Sequence, residues 1–176
     1  ITSTEQGLRK NYFSTNYKAL KFVFEHNSFN RVLLPDKGQK LDIEFDIGED
    51  KFINELYIKT KLNFIGFSNF FHKINFCLKS YNDLIKPFQG EIGLSRQISF
   101  GGVNSLRGFN DNQFKSSALS VQSLEIHYTL DNAFKIITFI DCGFAKDYYP
   151  KYSFGFGLSK ISKTACGSPS LPARAQ

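Results

Sequence analysis

Three histidines, three cysteines and one run of carboxylates are the side chains of this 176-residue protein whose chemistry could be catalytic or metal-binding. His26, His72 and His127 stand far apart, and none falls at ligand spacing from Cys77, Cys142 or Cys166. The cysteines form no Cys-x-x-Cys pair and read as small apolar fillers. Asp42, Glu44 and Asp46 share a period of two and so line one face of a strand, and the sequence identifies no positioned catalytic partner for them. They suit a hydrated wall better than acid/base work. No glycine-rich phosphate loop, Gly-x-Ser-x-Gly elbow or Cys/His pair is present. The sequence therefore leads us to expect no enzyme, no cofactor and no metal. The arginine of ISFGGVNSLRGFNDNQF (98–114) asks a different question, because Arg107 is a single guanidinium set between Leu106 and Gly108-Phe109. A guanidinium fork can engage two carboxylates at once, which is binding chemistry rather than turnover.

The elements that would position it are strands. KLDIEFDIGE (40–49) sets Leu41, Ile43, Phe45 and Ile47 against the three carboxylates. The turn LPDKG (34–38) joins it to KALKFVFEHN (18–27) as a hairpin. ELYIKTKLNFIGF (55–67) alternates Leu56, Ile58, Leu62 and Phe64 with Lys59, Lys61 and Asn63. After a small-residue break near Gly66 and Ser68, FFHKINFCLKS (70–80) repeats the pattern, and residues 81–114 read mostly as loop. VQSLEIHYTL (121–130), AFKIITFIDCGF (133–144) and YSFGFGLS (152–159) complete the series. Twenty Phe and eight Tyr, with no Trp, suit pleated surfaces. The tail 161–176, with Pro169 and Pro172, breaks the alternation.

Nearly every strand has one apolar and one polar face, and periodicity alone does not say which faces water. Strands of about ten residues with long polar connections match a membrane barrel, while a soluble barrel or sandwich enclosing a ligand shows the same alternation. The net charge of +6 comes from Lys and Arg scattered among the acids, not gathered into a stripe, so no nucleic-acid partner is expected.

FGGVNSLRGF (100–109), followed by SLEIHY (123–128) and FIDCG (139–143), resembles the outer-membrane assembly-factor barrels: BamA/TamA insertases, two-partner-secretion transporters and the bacterial surface antigen barrel domain. The resemblance covers about residues 18–159 and implies an all-β fold, an antiparallel transmembrane β-barrel. Such barrels have sixteen strands and about eight are expected here, so it implies the C-terminal half of one over 1–160, with 161–176 an atypical or disordered tail. It departs from the family where Glu125-Ile126-His127 stands in place of Glu-aromatic-Arg.

In the family the loop bearing the Arg-Gly-aromatic tip folds into the lumen. The resemblance therefore implies a lumen-loop motif of Ser105, Leu106, Arg107, Gly108 and Phe109, with Glu125 and Asp141 as acidic partners. Gly143 would leave room for the loop. The implied function is assembly, insertion or translocation of polypeptides in the outer membrane, that of a bacterial cell before that of an organelle. Implied partners are the lipid bilayer, unfolded outer-membrane or secreted clients, and accessory assembly subunits. A secretion pore for one dedicated partner protein is the variant that stays open.

Overall fold

Alternating apolar and polar residues over runs longer than ten produce one extended sheet. A computed structural model describes residues 17–50, 55–90, 92–93, 96–131 and 134–160. Its strands are β1 (Tyr17–Asn27), β2 (Gly38–Asp50), β3 (Glu55–Phe71), β4 (Ile74–Pro87), β5 (Ile98–Phe100), β6 (Phe114–Ser116), β7 (Ala118–Thr129), β8 (Phe134–Ala145) and β9 (Tyr148–Lys160). Seven of them form one sheet in the order β1-β2-β3-β4-β7-β8-β9, every neighbouring pair antiparallel. The sheet is open, with β1 and β9 at its edges. The two short strands pair only with each other, inside the long connection from β4 to β7.

Two boundaries differ from the sequence reading. β3 does not break at Gly66 and Ser68 but runs on to Phe71, pairing Gly66 with Leu78 and Ser68 with Phe76. Ladder hydrogen bonds use the backbone, so small side chains do not stop a strand whose partner is in register. The chain turns instead at His72-Lys73. β4 likewise extends to Pro87, where Asn82 and Asp83, which interrupt the apolar run, pair with Leu62 and Lys61. The tail 161–176 lies outside the described residues.

The two faces are distributed as in a membrane barrel. Along β7, Leu119, Val121, Ser123, Glu125 and His127 are buried, whereas Leu124, Ile126 and Tyr128 are exposed. On β9 Phe154 and Phe156 are 87% and 84% exposed. Across the sheet the buried set includes Asn75, Ser123, Glu125, His127, Lys135 and Asp141. In water each large exposed apolar side chain forgoes about 1.5–3 kcal/mol of burial, which a hydrocarbon surround restores. A soluble module would bury this apolar face around its ligand; here the face is open and the polar face is covered.

What covers the polar face is the β4–β7 connection. Phe100 of β5 and Leu106 pack on Leu119 and Val121, with Tyr81, Ile98, Phe109, Phe114 and Ala145 around them. Phe114 meets Phe109 edge-on at 5.4 Å and Tyr148 at 5.4 Å. This small apolar cluster fixes where the loop lands.

Candidate functional site

Period two and the strand register assemble the seat of Arg107. On β7 and β8, Ser123 lies opposite Asp141 and Glu125 opposite Phe139, so the four side chains form one block on the polar face. β4 adds Cys77 opposite Glu125 and Lys79 opposite Ser123, and β9 adds Ser153 opposite Asp141. Glu125 and Asp141 are 1% and 0% exposed.

Into this block the loop inserts one side chain. Arg107 donates from Nε to Asp141 Oδ2 (2.7 Å) and from Nη2 to Asp141 Oδ1 (2.5 Å), a side-on pair. Nη2 also donates to Ser123 Oγ (2.6 Å), Nη1 to Glu125 Oε1 (2.7 Å), and the backbone N–H of Arg107 to Asp141 Oδ2 (3.3 Å). The guanidinium lies over the Phe139 ring at 3.5 Å from its centroid. Glu125 is a hub, since Lys79 Nζ donates to its Oε1 (2.7 Å) and His127 Nε2 lies 2.7 Å from its Oε2. A planar fork fits this seat and an ammonium does not.

The remaining motif residues shape the loop. Ser105 Oγ closes the turn, accepting from the Gly101 N–H (2.8 Å) and donating to the Gly101 carbonyl (3.0 Å). Leu106 is fully buried in the apolar cluster beside Arg107. Gly108 has φ +84°, a conformation that side-chain-bearing residues rarely adopt, and Phe109 packs on Phe114. At Gly143 a Cβ would lie 3.0 Å from Leu106 Cδ2, so this glycine leaves the space that Leu106 fills. Gly143→Val is accordingly expected to destabilise the folded protein by about 1–3 kcal/mol through overpacking. Gly157→Val, where a Cβ meets nothing within 4 Å, is the control. Urea midpoints in detergent compare the two.

Sequence reasoning missed Lys79, Ser123, His127 and Phe139 as members of the seat. Ser123 and Phe139 were in reach, being two residues from Glu125 and Asp141 and hence on the same faces. Lys79 was not, because the β4–β7 register is set across a connection of about thirty residues. His127, for which its spacing gave no ligand role, is buried against Glu125.

Cys77, Glu125 and His127 offer three donor atoms within 4.8 Å of one another. They could ligate a metal by type, but both Glu125 oxygens are already occupied, with Lys79 and Arg107 on Oε1. A further cation would meet two fixed positive charges there. The arrangement works as a hydrogen-bonded hub that holds a loop.

The sheet is thus inverted, apolar face open and polar face covered, with a loop arginine docked on its polar wall. The model of the Omp85 superfamily domain matches residues 4–168. The chain belongs to the Omp85 superfamily. Among solved structures, BamA from Haemophilus ducreyi lacking POTRA domains 1-3 aligns with a TM-score of 0.72 at 18% identity, a likeness of fold. The match covers 82% of this chain and 36% of that one, so the present chain spans little more than a third of that protein's length. No curated protein matches. As an Omp85 chain, this is part of an outer-membrane β-barrel, and its seven-stranded sheet is open because it is a portion of the cylinder. The superfamily is one of assembly and transport factors rather than enzymes.

Proposed function

We propose that this chain is the C-terminal part of a factor that inserts or translocates polypeptides at the outer membrane, and that its Arg107 loop folds into the lumen to brace the barrel. The observation that carries the reading is the guanidinium of a loop residue bound to two fully buried carboxylates on the polar wall. It joins the loop to Ser123 and Glu125 of β7 and to Asp141 of β8. Ser105, Leu106, Gly108 and Phe109 shape the tip, Glu125 and Asp141 receive it, and Gly143 admits Leu106. Its partners are the bilayer, unfolded outer-membrane or secreted clients and accessory assembly subunits.

The test uses the full-length protein in lipid vesicles with an unfolded outer-membrane barrel added as client. Faster client folding than in empty vesicles is expected. Equal rates would overturn the insertase reading and favour the second one, a secretion pore for a dedicated partner, in which the same loop braces a conduit. The loop and seat suit both readings, since neither asks them for chemistry.

A further inference from the structure

The opposite end of the polar face carries a second device that the Arg107 seat does not use. The β1–β2 turn, residues 28–37, leaves the β1–β2 edge and crosses the inner face as far as β8. There Lys135, only 2% exposed, donates from Nζ to the Leu34 carbonyl (3.0 Å), the Pro35 carbonyl (3.0 Å) and Asp36 Oδ1 (2.6 Å). Midway, Asn75 of β4, also buried, donates from Nδ2 to Asp36 Oδ1 (3.1 Å). In the sheet order, β2 and β8 are four strand spacings apart, roughly 19 Å along the sheet. The turn is thus a strap across the curved wall, not a simple reversal.

Its shape is fixed from within as well. Asn30 Oδ1 accepts from the N–H groups of Asp36 and Lys37 (both 3.1 Å), and Arg31 Nη1 lies 3.2 Å from Asp36 Oδ2. Leu34 is held at φ 48°, left-handed for a side-chain-bearing residue, and its carbonyl is one that Lys135 takes. Phe29 meets Phe67 edge-on at 5.6 Å, Phe67 meets His127 at 5.4 Å, and His127 binds Glu125. A chain of ring contacts therefore runs from the strap to His127, which binds the Glu125 carboxylate that Arg107 also holds.

We propose that the strap is a closure of the lumen mouth remote from the Arg107 loop, and that Lys135 is the positioning residue that latches it. A buried ammonium whose donors go to two carbonyls and one carboxylate of a single turn has no other outlet for its charge, so strap and lysine hold each other. Weakening the Lys135 latch loosens the strap while leaving every strand pairing of the sheet intact. The closure then swings away and the mouth opens to ions.

This rests on the polar face being the lumen of a membrane barrel, and the test separates the two. The full-length protein is placed in planar bilayers in potassium chloride, and open probability is read for the parent, Lys135→Arg, Lys135→Met and Asp36→Ala. The Met and Ala variants should raise open probability at least about tenfold, because each removes at least one charge-assisted hydrogen bond between strap and wall. Lys135→Arg should stay close to the parent. Folded Met and Ala variants that gate like the parent overturn the closure. Should Lys135→Met not fold, Asp36→Ala, which lies outside the strands, decides alone. Absence of conductance in all four overturns the lumen reading and the strap with it.

Discussion

Replacing Arg107 by alanine is expected to destabilise the folded barrel by about 3–5 kcal/mol, the cost of stripping one partner from a buried ion pair. The loss falls unequally on the two carboxylates. Glu125 keeps Lys79 and His127, whereas all three bonds that reach the Asp141 carboxylate among the described residues come from Arg107. Asp141 is then a fully buried, unpaired charge. Arg107→Lys restores a positive charge but not the side-on pair to Asp141, the reach to Ser123 or the stacking on Phe139. It should therefore fall between arginine and alanine. The sharper test is the double variant Arg107→Ala, Asp141→Asn, which removes the orphaned charge together with its partner and should be less unstable than Arg107→Ala alone. Urea titration in detergent, with the folded fraction read as the heat-sensitive band on a gel, orders the four proteins. An Arg107→Ala midpoint equal to the parent's would sink the bracing role, and so would a double variant no better than the single.

That the seat involves β7 and β8 follows from local rules, and much of it was legible. Odd-numbered residues from 119 to 127 share a face, as do 139, 141 and 143, so Glu125 and Asp141 could be assigned to the polar wall before any pairing was known. Strand identity was equally plain wherever apolar residues alternate, as from Leu41 to Ile47. The limits come from terms that are not local. Asn82 and Asp83 break the alternation, yet the β3 partner keeps them in the ladder. The β5–β6 hairpin is only three residues a side and is held by Phe100 and Phe114 on the wall, contacts that no periodicity encodes. Lys135 could not be tied to Asp36, about a hundred residues away in the chain, because the contact depends on a turn reaching across five strands. The sidedness of the sheet was the largest open term, since alternation is identical for water outside and lipid outside.

Sidedness is also where a single pair of substitutions has the second large effect. Ile126 points outward beside inward-facing Glu125, and Asn63 of β3 faces inward, opposite Asp42 of β2 and Tyr81 of β4. Ile126→Arg places a guanidinium on the hydrocarbon side and should cost about 2–4 kcal/mol near the bilayer midplane. Asn63→Arg puts the same charge against the Asp42 carboxylate on the polar wall and should stay within about 0.5 kcal/mol of the parent. Insertion into lipid vesicles, followed by protection from added protease, reads both. The contrast is specific to lipid, because Ile126 is already 42% exposed, and in water an arginine there would lose little packing and gain solvation. If Ile126→Arg inserts as well as Asn63→Arg, hydrocarbon does not contact that face. The exposed row of Phe154, Phe156 and Leu158 would then need a protein cover in place of a membrane. If Ile126→Arg alone fails, the open apolar face is the lipid face, and the polar wall that holds Arg107 is the lumen.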